Sequence, residues 1–163
     1  MKYAPLVLII FAALSSCKKE AAVGSSGLSP NSWSVGNTVY TVDQVDRGPS
    51  NEGTVGISAL GRAGTMGSTL LFRFRTVPAT TSSLRIGGGV FSIPNEVAIE
   101  VATANNRSYS ARDTTDSKML VVVNGGKLSV TVPEMWLYHG HYSNNSFIAE
   151  DSVRFACQAV REQ

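Results

Sequence analysis

The sequence predicts an all-β fold, most simply an antiparallel two-sheet β-sandwich. Apolar and polar residues alternate in many short runs, which is the pattern of strands that bury one face. Gly, Ser, Thr and Val are common, and no stretch shows a convincing helical period. A closed, lipocalin-like β-barrel is the alternative architecture, because the number of strands does not separate the two.

Composition limits the classes of protein to consider. The chain has 163 residues, of which 43% are hydrophobic and 16% charged, so it is too apolar to be disordered. Its length suits a single domain preceded by a leader. The formal net charge is +2, and the only dense cationic spot is Lys18-Lys19. We therefore expect no nucleic-acid partner.

Several alternating runs are found before residue 104. Residues 33–42 contain Gly36-Asn37, which is either a hairpin tip or a bend within one strand. Apolar residues share one face in the runs that follow, namely Val55, Ile57 and Ala59 in 54–60, Leu70, Phe72 and Phe74 in 69–76, and Val97, Ile99 and Val101 in 96–103. A short strand is also expected at 90–93, and a loop at 43–53.

The second half contains the strongest hairpin signal. Asn124-Gly125-Gly126 separates the β-rich runs 119–124 and 127–132. Further strands are predicted at 135–142 and 153–160, the latter with Val153, Phe155, Cys157 and Ala159 on one face. Residues 104–117 are predicted to form a loop. The total is eight or nine strands.

The N-terminus is typical of a cleaved leader. Lys2 provides a positive charge, 6–14 form a short apolar segment, and small residues follow. The apolar segment is shorter than the roughly 20 residues that cross a bilayer as a helix. We expect a signal peptide at 1–16, a Gly/Ser-rich flexible tether at 17–31 and a single β-domain at 32–163.

Leu14-Ser15-Ser16-Cys17 resembles the lipobox of bacterial lipoproteins. The resemblance implies that Cys17 receives a diacylglyceryl group, that the leader is cut before it, and that its new amine is acylated with a chain such as palmitate. Two or three acyl chains anchor a protein stably to a membrane. Lys18 stands where an Asp would resemble an inner-membrane retention signal, so we expect the outer membrane.

The whole layout is similar to the small β-sandwich lipoproteins of Bacteroidota-type bacteria. The features that carry this resemblance are the lipobox, the Cys-Lys-Lys start, the Ser/Gly tether, the early Trp33 and the late Gly-Gly-Lys hairpin. Many domains of this kind have no assigned activity. The resemblance therefore implies location and architecture more than function.

The predicted strand 135–142 contains a possible ligand-binding surface. Trp136, Tyr138 and Tyr142 share one face, and flat aromatic rings provide large contact areas for a glycan or a protein partner. The alternative is that these rings are core, with Met135 and Leu137 pointing outward. Since large aromatic side chains are usually buried, the sequence favours the core.

His139-Gly140-His141 is the sharpest metal-like feature. Residues i and i+2 of a strand point to the same side, so both imidazoles could meet one zinc ion. The third ligand would be the nearby Glu134, Glu150 or Asp151. The alternative is two histidines that are solvated or hydrogen-bonded on a sheet face. We expect no cofactor and no bound metal.

The other candidate residues give weaker indications of a functional site. Cys157 shares a face with apolar residues, which suggests a buried, inert thiol. Arg73 and Arg75 are expected to pair with Glu96 and Glu100 on a solvated face. Two further sets match no known loop, namely Asp43, Asp46 and Glu52 for calcium, and the glycines at 61, 64 and 67 for phosphate.

The sequence thus predicts a non-catalytic domain on the cell envelope that binds a glycan, a peptide or an envelope protein. Its membrane contact would be the lipid anchor. One alternative is a metal-dependent or hydrolytic enzyme that uses His139 and His141. Another is a barrel that carries a lipophilic ligand.

Overall fold

The computed structural model describes residues 27–50, 53–88, 95–112, 117–144 and 146–163. These ranges contain ten strands and no α-helix. The strands are β1 (Ser32–Val35), β2 (Thr38–Pro49), β3 (Val55–Ala63), β4 (Met66–Phe74), β5 (Ser82–Gly87), β6 (Glu96–Thr103), β7 (Ser108–Ser110), β8 (Lys118–Asn124), β9 (Lys127–Ser143) and β10 (Ser146–Arg161). The all-β, β-sandwich-like class that the sequence predicts is confirmed.

The strands pair in the order β10-β1-β2-β3-β4-β6-β5-β8-β9-β7. β10 also pairs with β9, so the hydrogen-bonded pairing returns to its starting strand, and β7 lies between β6 and β9. Every pair is antiparallel except β5 with β6, which run parallel. That one pair departs from the predicted antiparallel sheet.

A single hydrophobic core receives side chains from all ten strands. Leu70, Phe72 and Phe74 of β4 are fully buried, which confirms the alternation read from the sequence. Trp33 of β1 is also fully buried, and its ring lies over Gly61 of β3. A Cβ at Gly61 would overlap that ring, so a bare backbone is required at this point of the core.

Two predicted turns can be compared directly with the structure. Gly36 and Asn37 form the tight turn between β1 and β2, so they are a hairpin tip rather than a bend. The predicted hairpin between β8 and β9 is confirmed, and its two turn residues are Gly125 and Gly126. Both have positive φ, which glycine adopts without strain.

Other predicted elements were wrong. The expected loop at 43–53 is mostly strand, because β2 continues to Pro49 and pairs with β3 throughout. Its polar side chains conceal the alternation, since only Tyr40 and Val45 of this strand are buried. The short β7 lies inside the predicted loop 104–117, and β5 was not predicted at all. The strand expected at 90–93 lies outside the described residues, as does all of 1–26.

Candidate binding site

The outer parts of β9 and β10 form a two-stranded ribbon, which we call the distal hairpin and define as residues 136–154. β1 pairs with β10 only over residues 155–158, and β7 pairs with β9 at Tyr138. In the described residues beyond these points, β9 and β10 pair only with each other. The hairpin therefore extends past the strands β1 and β7, and many of its residues near the tip are exposed.

An extra residue in β9 determines which side of the outer strand packs against the core. Val130 and Val132 point inward, but farther along the buried residues are Met135 and Leu137. Between Val132 and Met135, β9 has one residue more than the facing segment of β10, which is a β-bulge. Because side-chain direction alternates with every residue, one extra residue reverses the direction of all that follow.

The prediction that Trp136 and Tyr138 are core is therefore wrong. Trp136 is 44% exposed and Tyr142 is 63% exposed, whereas Leu137 has no exposed surface. Tyr138 is half-buried. A second bulge near Ala159 of β10 likewise makes Val160, rather than the predicted Ala159, the buried residue there.

Four aromatic rings lie on what we call the aromatic face of the hairpin. Cross-strand register pairs Trp136 with Arg154 and Tyr142 with Phe147, and Tyr138 lies between these two pairs. The Arg154 guanidinium carbon lies 5.2 Å from the centre of the Trp136 ring, and Arg154 also forms an ion pair with Glu134. The three ring positions proposed from sequence thus share one face, with Phe147 as a fourth ring, and Trp136 and Tyr142 are the exposed members.

Arg112, which follows β7 in the chain, also contacts this surface. Its guanidinium carbon lies 3.3 Å from the centre of the Phe147 ring, and Nη1 donates a hydrogen bond of 3.0 Å to the Tyr142 hydroxyl. The Tyr142 and Phe147 rings meet edge to face at 5.5 Å. A cavity of about 300 Å³ opens beside them, lined by Arg112, Tyr138, Phe147 and Ala149.

Gly140 lies under the Phe147 ring. A Cβ at this position would lie 2.7 Å from Phe147 Cζ and would overlap the Ile148 carbonyl oxygen. The cross-strand partner of Gly140 is the small Ala149. The Phe147 ring thus fills the space above Gly140, and the small Ala149 side chain lines the cavity beside it.

The opposite side, the histidine face, holds His139 and His141. The Ser108 carbonyl accepts a hydrogen bond of 2.9 Å from His139 Nδ1. Glu150 lies in a bulge of β10 and contacts both rings, with Oε1 2.7 Å from His141 Nδ1 and Oε2 3.7 Å from His139 Nε2. Within the described ranges, no three His, Cys, Asp or Glu side chains are arranged to hold a metal ion.

The other two predicted zinc-ligand candidates have different partners. Glu134 pairs with Arg154. Asp151 Oδ2 accepts hydrogen bonds from Tyr109 Oη at 2.8 Å and Arg107 Nη1 at 2.7 Å. The Tyr109 hydrogen bond is the main cause that lowers the pKa of Asp151. These contacts attach the hairpin to the segment that follows β6.

The remaining candidates mostly have structural roles. Cys157 is fully buried, as predicted, and burial raises the pKa of its thiol to about 12. Arg73 lies 3.8 Å from Glu100, as predicted. Glu96 was expected on a solvated face, but it is buried against Gly87, and its Oε2 has no hydrogen-bond partner in the described part of the chain.

The calcium candidates make ordinary polar contacts. Asp43 pairs with Arg62 at 2.8 Å, and Asp46 accepts a hydrogen bond from Gln44. Glu52 lies outside the described residues. Gly64 is in the β3–β4 turn, while Gly61 and Gly67 are within strands, so these three glycines do not form one loop.

Sequence reasoning did not find Arg112, Phe147 or Gly140 as part of the aromatic face. Phe147 is implied by the register of β10, but that register depends on bulges. Arg112 is 30 residues from the Tyr142 hydroxyl it binds, and nothing local indicates the contact. For the bulge in β9, Pro133 was an available sequence signal, because proline inside a strand often marks a bulge.

No family model, curated protein or solved structure matches this chain. In the described part of the molecule, no helix is long and apolar enough to cross a membrane. The function is therefore inferred from the distal hairpin and from the sequence of the N-terminus.

Proposed function

We propose that this protein is a lipid-anchored, non-catalytic binding domain of the bacterial cell envelope. Its ligand is a glycan, a peptide or an envelope protein, and its binding surface is the aromatic face. The observation that carries the proposal is the exposure of Trp136 and Tyr142 on a hairpin that extends past β1 and β7. Large rings left in water lose the stabilisation of burial, so their exposure suggests that a partner covers them.

The stacked arginines support a binding role. Arg112 lies on Phe147 and Arg154 lies near the Trp136 ring, so cationic groups hold two of the four rings in place. Rings held before the ligand arrives lose less conformational freedom on binding. Aromatic and arginine side chains are also the residues most enriched at binding hot spots.

The position of the anchor agrees with this role. The lipobox-like Leu14 to Cys17 places the proposed lipid 15 residues before β1, which begins at Ser32. Ser32 lies opposite Gln158 of β10, whereas the hairpin tip begins at Ser146. At about 3.3 Å per residue, these two points of β10 are roughly 40 Å apart. The start of β1 and the tip of the hairpin thus lie near opposite ends of β10.

The anchor is tested by Cys17→Ala. We expect this change to abolish incorporation of a fatty-acid analogue, because the thiol that accepts the lipid is lost. The wild type should take up the label and fractionate with the outer membrane. Cys157→Ala is the matched control and should label normally. Equal labelling of wild type and Cys17→Ala would contradict the anchor.

The binding face is tested by a glycan and peptide screen on the full-length protein in detergent. Trp136→Ala should lose a ligand found in this way while its Tm stays close to that of the wild type. Val122→Ala removes an exposed apolar side chain of β8, away from the hairpin, and should keep binding. Full binding by Trp136→Ala would contradict the proposed surface.

A further inference from the structure

Arg112 differs from the other arginines near the hairpin in its ionic partners. Arg154 pairs with Glu134, and Arg107 pairs with Asp151. In the described ranges, no carboxylate forms an ion pair with Arg112. Its contacts are the Phe147 ring, the Tyr142 ring and the Tyr142 hydroxyl. Among the described residues, the positive charge of Arg112 on the aromatic face is therefore not balanced by an acidic side chain.

Stacking leaves the hydrogen-bonding capacity of this guanidinium largely unused. Arginine has five N–H donors in one plane, and the Tyr142 hydroxyl accepts from only one nitrogen of Arg112. The Nε–H is enclosed, with no acceptor in the described part of the chain. Since the face of the guanidinium lies on Phe147, its unused Nη donors point outward from the edge of the group. Such an edge matches the two oxygens of a carboxylate.

We propose that the aromatic face binds a sugar that carries a carboxylate, with Arg112 binding the acid group. This inference rests on the proposed binding function and adds the class of ligand. The cavity beside Arg112 places the sugar ring between the Tyr138 and Phe147 rings. Ala149, the fourth lining residue, is small and leaves room for the sugar ring beside Phe147.

The shape of the site favours a sugar over an acidic peptide. Peptide side chains gain most of their binding energy in enclosed, desolvated pockets. The cavity of about 300 Å³ is open to solvent, and two of its four lining residues present ring surfaces. A sugar ring has a flat apolar side that stacks on aromatic rings and a polar rim that stays in water. The acid group then adds a charge-assisted contact at the edge of Arg112.

The test is calorimetric titration of the full-length protein with trigalacturonic acid, its methyl ester and a triglutamate peptide. We expect the acid to bind at least about tenfold more tightly than the ester, because hydrogen bonds to a charged group are the stronger ones. Triglutamate should bind more weakly than the acid. Ester binding equal to acid binding would overturn the carboxylate assignment and leave the proposed binding face standing.

Variants of Arg112 separate its charge from its shape. Arg112→Lys keeps the charge and loses the planar pair of donors, so it should weaken binding of the acid and leave the ester unchanged. Arg112→Gln should remove the preference for the acid. Arg62→Gln, an exposed arginine of β3 that pairs with Asp43, is the control and should bind as the wild type does. An unchanged preference in both Arg112 variants would overturn the inference.

Other outcomes concern the type of ligand. Binding of triglutamate without binding of the saccharide would overturn the sugar assignment in favour of an acidic peptide. Failure of all three probes would overturn the carboxylate-sugar inference. The proposed function would then fail only if Trp136→Ala also retained every ligand of the wild type.

Discussion

Trp136 and Leu137 are neighbours in β9 and therefore point to opposite sides of the strand, and the bulge before them determines that Leu137 is the one that points inward. Leu137 has no exposed surface and belongs to the core. Trp136 is 44% exposed and contacts Arg154 across the strand pair. At the scale of single residues, one side chain therefore stabilises the fold while its larger neighbour is available to a ligand.

Alanine substitution of Leu137 should lower the free energy of unfolding much more than alanine substitution of Trp136. Leu137→Ala removes a fully buried side chain and should lower the free energy of unfolding by about 2–5 kcal/mol. Trp136→Ala loses partly exposed packing and one cation–π contact, and should lower it by no more than about 1 kcal/mol. Urea unfolding measures both, with buried Trp33 as the fluorescent probe that remains in each variant. A larger loss for Trp136→Ala than for Leu137→Ala would contradict the assigned faces.

The same pair shows where alternation in a sequence is informative. Period-two patterns correctly placed Leu70, Phe72 and Phe74 in the core, because β4 pairs with β3 and β6 without a break in register. In β9 the alternation correctly placed Trp136 and Tyr138 on one face, but the burial predicted for them from the usual burial of aromatic side chains is wrong. The bulge between Val132 and Met135 determines which face points to the core, and a single extra residue leaves little trace in hydrophobicity.

At the scale of strands, the distal hairpin depends on contacts from outside itself. Arg107 and Tyr109 both contact Asp151, and Ser108 accepts a hydrogen bond from His139. The segment 107–109 thus supports the hairpin from its histidine face. On the aromatic face, the hairpin is contacted from outside by Arg112, at Phe147 and Tyr142.

The support from Asp151 should depend on pH. The hydrogen bond from Tyr109 is the largest of the effects that lower the pKa of this carboxyl group in the folded state. A carboxyl group whose folded pKa is depressed stabilises the fold above its unfolded pKa of about 3.9, and this contribution is lost as the pH falls through the folded value. Acidification should therefore loosen the hairpin.

Amide hydrogen exchange in residues 136–154 measures this effect. Asp151→Asn should lower protection of these amides at neutral pH and reduce the further loss on acidification. Asp43→Asn breaks an exposed ion pair with Arg62 on another part of the sheet, and should leave the hairpin amides unchanged. Equal protection in wild type and Asp151→Asn would show that the contact does not hold the hairpin.

At the scale of the whole molecule, the strand order separates the proposed anchor from the binding face. β1 starts near the C-terminal end of β10, and Asn31 Oδ1 accepts a hydrogen bond from the Arg161 amide there. The hairpin tip lies at the other end of β10. A domain held by Cys17 would then present the hairpin tip, with Tyr142 and Phe147, away from the membrane.

Local sequence predicted the β class, the 124–127 hairpin and the exposed alternative for the aromatic residues. It did not predict the contact of Arg112 with Phe147, because that contact depends on the order of strands in the sheet. The parallel pairing of β5 with β6 and the closing of β10 onto both β1 and β9 are likewise long-range features. The candidate site was therefore only partly predictable.

The most direct test of the binding face uses the two tryptophans of the chain. Trp136 is exposed on the aromatic face and Trp33 is fully buried, so only Trp136 should sense a ligand there. Saturation of the full-length protein with the ligand from the screen should shift or quench tryptophan emission. Trp136→Phe keeps an aromatic ring and should retain measurable binding by calorimetry, but without the emission change. An equal emission change in Trp136→Phe, or none in the saturated wild type, would contradict binding at this face.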